Sequence, residues 1–304
     1  MGWQYSIIRQ GGIITAAVLI LAGCGRPAVT APQLDSALAF RLTAAAAAMT
    51  PRHSGTPGAQ KQAEFIAAEA RKYGAKVTVD TFEDLTPEGK ITFRNVVAEL
   101  PGNSRRFVVV GAHYDAKKLQ TAPQFAAAND GASGVGTLLA MIKAIAAAPD
   151  KPYYSLRFIF FDGEECRLQY GDNDGLHGSR YYARTLQQSG ELKNCRAMIL
   201  LDMIGDRDLE VMIPAETDPQ LGELCRQSAI RRGYGSHFVP STISMTDDHT
   251  PFLQAGLPVI DLIDFSYGPN NSYWHTEEDT MDKISAASLQ IVGDTALEML
   301  YHLE

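Results

Sequence analysis

Eight side chains in this sequence carry groups that bind metal ions or exchange protons: His113, Asp115, Asp130, Glu164, Glu165, Asp202, Asp247 and His275. Most fall just after segments that read as strands. Their order, His-x-Asp, Asp, Glu-Glu, Asp, His, offers imidazole and carboxylate donors with no competing cysteine cluster. Such a set suits Zn²⁺ gathered along one edge of an α/β sheet. Two adjacent glutamates also permit a division of labour, one binding metal while the other moves protons.

The elements that must position these groups follow from hydrophobic patterning. Leu34, Leu38, Leu42 and Met49 lie at helical spacing through an alanine-rich segment. Ser54-Gly55-Thr56-Pro57-Gly58 reads as a loop, and a second helix over 59–73 is stopped by Gly74. Residues 76–82 alternate as a strand does, and 91–100 read as its neighbour. The runs 107–112, 156–161 and 197–201 are short and mostly apolar, which suits strands buried on both faces; a further strand covers 258–263. Helices are predicted over 134–148, 179–188, 219–232 and 285–303. This order predicts an α/β fold, a three-layer sandwich with a mixed, largely parallel central sheet. In such open sheets the ligand crevice lies outside the carboxyl ends of the strands, where His113, the Glu164–Glu165 pair and Asp202 would meet.

Each residue also has a plainer reading. Asp130 before a helix could be an N-cap, Asp202 a strand-end turn former, His275 a structural histidine, and the glutamate pair solvated surface. Their joint occurrence at strand ends favours a site.

Composition sets the limits. Of 304 residues, 45% are hydrophobic and 20% charged, as expected for one large domain with a substantial core. A net charge of -8 without a long basic run argues against nucleic acid, which demands a cationic face. Near the N-terminus, Arg9 precedes a largely apolar run over 13–22, too short for a permanent bilayer span. Leu21-Ala22-Gly23-Cys24 resembles a bacterial lipobox, which implies cleavage before Cys24 and a lipid on its thiol. Gly25 after the cysteine then favours the periplasmic face of the outer membrane, in the bacterial cell envelope. The expected layout is a signal peptide over 1–23, a lipidated cysteine and tether over 24–33, and one zinc-dependent catalytic domain over 34–304. Cys166, Cys195 and Cys225 remain, an odd number, so at least one stays unpaired in a monomer.

From about Ser54 onward the chain resembles the co-catalytic zinc aminopeptidase superfamily, and within it the animal-type glutaminyl-peptide cyclotransferases and their bacterial relatives. The resemblance rests on Gly111-Ala112-His113-Tyr114-Asp115, Asn129-Asp130-Gly131-Ala132-Ser133-Gly134, Asp162-Gly163-Glu164-Glu165, Leu201-Asp202-Met203-Ile204-Gly205, Asp247-Asp248-His249-Thr250-Pro251-Phe252 and Trp274-His275-Thr276. Three features lean toward the cyclotransferases: the insertion from Cys166 to His177 before Gly178-Ser179, the Asp247-Asp248-His249 pattern, and a tryptophan directly before His275.

The resemblance implies one zinc on Asp130, Glu165 and His275, with Glu164 as general acid/base. Asp202 and Asp247 would form an acidic hydrogen-bonded pair holding the substrate amine and leaving amide. Trp274 and Tyr170 would wall the substrate pocket, Tyr170 standing where cyclotransferases commonly have tryptophan. Peptide or protein N-termini would be the substrate, and the membrane a partner only through the lipid. The alternative is an aminopeptidase in which His113 and Asp202 complete a second zinc site. A third reading is a peptide-binding surface lipoprotein without catalysis, in which loss of metal ligands would be usual; none is missing here.

Overall fold

In the computed structural model, residues 29–304 are described. Cys24, the predicted lipidation site, lies outside them, as does the predicted leader. The chain builds one eight-stranded sheet from β1 (Lys76–Thr86), β2 (Gly89–Leu100), β3 (Ser104–His113), β4 (Tyr154–Phe161), β5 (Cys195–Asp202), β6 (Val211–Ile213), β7 (Phe238–Pro240) and β8 (Val259–Ile263). Their order across the sheet is β1-β2-β4-β3-β5-β8-β6-β7. The pairs β4–β3, β3–β5, β5–β8 and β6–β7 are parallel; β1–β2, β2–β4 and β6–β8 are antiparallel. The sheet is therefore mixed with a parallel centre, as the sequence predicts.

Period-two alternation divides the apolar strand residues between two layers. Val108, Val110, Leu156, Phe158, Phe160, Ile199, Leu201, Ile260 and Leu262 join the larger core beneath α1 (Ser36–Ala47), α2 (Pro57–Lys72), α3 (Ala132–Ala147), α5 (Pro219–Arg231) and α7 (Ala286–His302). Val109, Ile159, Phe161, Met198, Leu200 and Val259 face the other way, against α4 (His177–Ser189) and α6 (Thr250–Gln254). Strands with both faces covered must be apolar throughout, which explains the unbroken runs. Gly134 lets α3 lie close behind β3 and β5, since a Cβ there would come within 2.7 Å of the Ala112 side chain and 2.8 Å of the Leu201 carbonyl.

The structure departs from the sequence reading at the edges. β1 runs on to Thr86 and turns through Gly89 directly into β2. Strands β6 and β7 and helix α6, of three to five residues, were not predicted, because so few residues show no period. Leu34 precedes α1, whose N-cap is Asp35. Upstream, Ala31 is buried and the Ala31 and Pro32 carbonyls accept hydrogen bonds from Arg232, so packing reaches further forward than Leu34. Cys166, Cys195 and Cys225 are all free and buried.

Candidate metal centre and acidic pocket

The carboxyl ends of the parallel strands bring the predicted residues together. His113 ends β3, Asp202 ends β5, and Glu164 and Glu165 lie just past β4. Asp130 precedes α3, but the N-cap there is Gly131, at φ 94° and without a side-chain cap, so the Asp130 carboxylate is free for other work. Asp247 stands before α6, and His275 lies in the long connection after β8. His275 and Met203 adopt positive φ, 54° and 51°, in the left-handed region that side chains usually avoid. Such strain persists where surrounding contacts over-determine it, often at functional sites.

Two groups of donor atoms form around one shared carboxylate. His275 Nε2 lies 3.2 Å from Asp130 Oδ2 and 3.1 Å from Glu165 Oε1. His113 Nε2 lies 3.1 Å from Asp130 Oδ1 and 3.1 Å from Asp202 Oδ1. In each group the donor atoms fall within 4.8 Å of one another. Asp130 Oδ2 and Glu165 Oε2 are buried, with ion-pair contacts to His275 and Lys117 in place of well-formed hydrogen bonds, and a bound cation would satisfy them. Two carboxylates and an imidazole are donors that Zn²⁺ accepts, so the residues present fit that ion.

A second layer of residues sets these ligands. Asp115 accepts from the Glu164 and Glu165 backbone N–H groups at 3.1 and 3.3 Å, pinning the glutamate pair. Ser54 Oγ lies 2.7 Å from Asp162 and 3.3 Å from Asp115. Asp279 accepts from the backbone of Asn129 and Asp130 and from the Tyr267 hydroxyl. Lys117 Nζ sits 3.3 Å from Glu165 Oε2 and 3.1 Å from Cys166 Sγ. Arg52, wholly buried, donates to the carbonyls of Tyr114, Ala126, Ala127 and Asp130.

None of Ser54, Arg52, Asp162 or Asp279 was given a role from the sequence, although Asp162 stands in the motif Asp162-Gly163-Glu164-Glu165. Arg52→Ala would take a donor from each of those carbonyls and remove the positive charge facing Asp279, Asp130, Asp115 and Glu165. We expect it to destabilise the protein by about 3–5 kcal/mol, read from the urea midpoint.

The electrostatics follow from crowding carboxyls out of water. Burial, then the neighbouring Asp247, pushes Glu164 well above the usual carboxyl range. Burial and Asp202 lift Asp247 to about 7. Burial raises Asp202 as well, with His113 partly opposing. Burial works against charge on His275, but Glu165 and Asp130 outweigh it and bring its pKa to about 10. His113 is likewise held well above its usual value, because Asp115, Asp130 and Asp202 overcome the effect of burial.

Asp202 and Asp247 line the same pocket, yet among the described residues no direct hydrogen bond joins them. Asp202 pairs with His113 instead, while Asp247 Oδ1 accepts from the Asp248 N–H. Asp202 and Asp247 thus face one space, with the His113 imidazole beside Asp202.

Asp130, Glu164, Glu165, Asp202, Asp247 and His275 open on a cavity of about 140 Å³, walled by Tyr170, Met203, Met245, Ile263, Phe265 and Trp274. Trp274 stacks on His275 at 3.9 Å between ring centroids and meets Phe265 edge-on at 5.0 Å. Tyr170 donates a 2.7 Å hydrogen bond to Glu164 Oε1. Larger clefts of about 540 and 450 Å³ lie elsewhere, one beside α5 and one beside the start of α2, and neither includes these carboxyls.

The sequence profile of peptidase family M28 matches residues 95–300. The chain belongs to that family. Among solved structures, a glutaminyl cyclase from an Acidobacteriales bacterium is 36% identical, with a TM-score of 0.84 over 91% of this chain and 97% of that one. A leucine aminopeptidase precursor from Bacteroides thetaiotaomicron is 27% identical, with a TM-score of 0.82 over 91% of this chain and 100% of that one. The glutaminyl-peptide cyclotransferase of Drosophila melanogaster is 28% identical over 264 residues, 79% of this chain and 73% of the relative. The three-layer fold is shared by cyclase and peptidase alike, so the choice between them falls to the site.

Proposed function

We propose that this chain is a zinc-dependent glutaminyl-peptide cyclotransferase, converting the N-terminal glutamine of peptides or proteins to pyroglutamate with release of ammonia. The observation that carries the reading is the cavity: about 140 Å³, below the usual 300–1,000 Å³ of ligand pockets, it suits one terminal residue, with three carboxyl groups besides the ligands converging on it. The likeness to the cyclase and the cyclotransferase supports it.

Asp130, Glu165 and His275 would hold the zinc. When bound, that ion supplies Lewis-acid polarisation of the substrate's γ-carbonyl. The reaction forms a bond from the α-amine nitrogen to the γ-carbon and breaks the bond from that carbon to the amide nitrogen. Glu164 takes a proton from the attacking amine and delivers one to the departing nitrogen, so the proton balance closes within the pocket. Asp247 and Asp202 receive the amine and leaving amide as hydrogen-bond acceptors. Trp274, Phe265 and Tyr170 exclude water and fold the side chain toward its own amine. Because nucleophile and electrophile share one residue, orientation alone can supply up to ~7–11 kcal/mol.

One specific observation favours a second reading. The His113–Asp130–Asp202 group could complete the two-metal site of an aminopeptidase. Mass spectrometry of a Gln-initiated peptide separates the two, because cyclisation removes ammonia whereas an aminopeptidase removes a whole residue. Retention of intact Gln-peptide with trimming of Leu- or Ala-initiated peptides would replace the cyclase reading.

Anchoring to the cell envelope belongs to the same proposal and rests on the Leu21-Ala22-Gly23-Cys24 pattern. Among the described residues no helix is long and apolar enough to cross a membrane. Cys24→Ala is expected to move the protein from the membrane fraction to the soluble fraction while leaving catalysis unchanged. A wild-type protein found free of membranes would remove the anchor from the proposal.

A further inference from the structure

Tyr170 was expected as a pocket wall, yet its hydroxyl, not only its ring, is aimed at the site. The phenol donates to Glu164 Oε1 at 2.7 Å, and among the described residues it is the side chain that hydrogen-bonds this carboxyl. The loop that carries it is built to fix that contact. Asp174 folds the first half, accepting from the N–H groups of Arg167, Leu168 and Gln169 at 2.5, 2.7 and 3.0 Å. Gly171 and Asp174 close the turn with reciprocal backbone hydrogen bonds.

The Tyr170 ring then rests where Gly175 leaves space. At φ 76°, a Cβ on Gly175 would come within 2.5 Å of Tyr170 Cδ1. Leu176 N–H returns the chain to the Glu164 carbonyl at 2.9 Å, and His177 N–H to that of Gly163 at 2.8 Å. Arg167 ties the start of the loop to the Ser54 carbonyl, and Arg180 ties its tip to that of Asp172. A residue needed only as an apolar wall would not call for a hydroxyl on the carboxyl.

We infer that Tyr170 is a positioning residue for Glu164: its O–H holds Oε1 and fixes the side-chain rotamer, leaving Oε2 to carry the proton between the amine and the departing amide. A glutamate has three rotatable side-chain bonds, and backbone contacts to Asp115 fix none of them. The phenol supplies that missing restraint. The assignment rests on the cyclotransferase reading, whose proton carrier is Glu164.

The test is Tyr170→Phe, alone and combined with Glu164→Gln, assayed for cyclisation of a Gln-initiated peptide. The ring and its seat on Gly175 survive this change, so zinc content should match wild type, and the unfolding midpoint should fall by no more than the loss of one hydrogen bond. Loss of the restraint should lower kcat by about 10–100-fold, the scale of a mispositioned reacting group, with KM within about twofold. In the Glu164→Gln background the same change should alter kcat by less than about twofold, because the group it positions is already inert. Wild-type kcat in Tyr170→Phe, a change confined to KM, or an equal loss in the Glu164→Gln background would each overturn the assignment while leaving the cyclase reading intact. A wild type that does not cyclise the peptide removes that reading and this assignment with it.

Discussion

Glu164→Gln should slow pyroglutamate formation by about 10²–10⁴-fold while zinc content and stability stay at wild-type levels. The carboxamide has nearly the shape of the carboxyl, and its oxygen can still accept the Tyr170 hydrogen bond. The backbone N–H bonds to Asp115 do not involve the side chain, so Glu165 keeps its place. What disappears is the ability to take a proton and give it back. Because Glu164 lies beside Glu165 but faces Tyr170 and Asp247, its loss should separate catalysis from metal retention. Metal analysis with steady-state kinetics on the same preparation checks both halves. Equal rates for variant and wild type would assign the proton transfer to another group, Asp247 first, since it shares the pocket.

The parts of this site legible in the sequence are those that depend on where a strand ends. His113 and Asp202 follow short apolar runs that suit buried strands, and a parallel sheet delivers the ends of such strands to one edge. Asp130 was ambiguous because an aspartate before a helix is a common N-cap; the positive φ of Gly131 decides the matter in space, not in composition. Asp279 was invisible for a different reason. It follows Glu277 and Glu278 in an acidic run that reads as solvated surface, and its partners are backbone N–H groups about 150 residues away in sequence.

Arg52 hides in the same manner, since hydrogen bonds to carbonyls leave no trace in the identity of the residues that accept them. The partner of Asp202 was likewise beyond the sequence. Motif order places it near both Asp247 and His113, and only the packed edge shows that the imidazole takes the contact. The Tyr170 loop was read as an insertion beside the glutamate pair, and its direction depends on Asp174 and Gly175 acting together.

His275→Ala should abolish tight zinc binding and lower cyclisation by roughly 10³-fold or more, since Lewis-acid stabilisation is worth several kcal/mol and each ~1.4 kcal/mol is tenfold. His113→Ala should leave one zinc per chain in place. The asymmetry comes from where each group lies. Asp130, Glu165 and His275 all open on the pocket, where an ion can meet the substrate. Around His113, one ring nitrogen already contacts Asp130 and Asp202, while the other faces Asp115 at 3.6 Å. His113 is buried behind those carboxylates, away from the pocket lining that Asp130, Glu165 and His275 share. The shared Asp130 has its Oδ1 turned to His113 and its Oδ2 turned to His275, so an ion at the pocket meets Oδ2 first. Metal analysis after extensive dialysis should therefore return one zinc per chain for wild type and for His113→Ala, and none for His275→Ala. Two zincs per chain in wild type, with the second lost on replacing either His113 or Asp202, would overturn this order and favour the aminopeptidase reading.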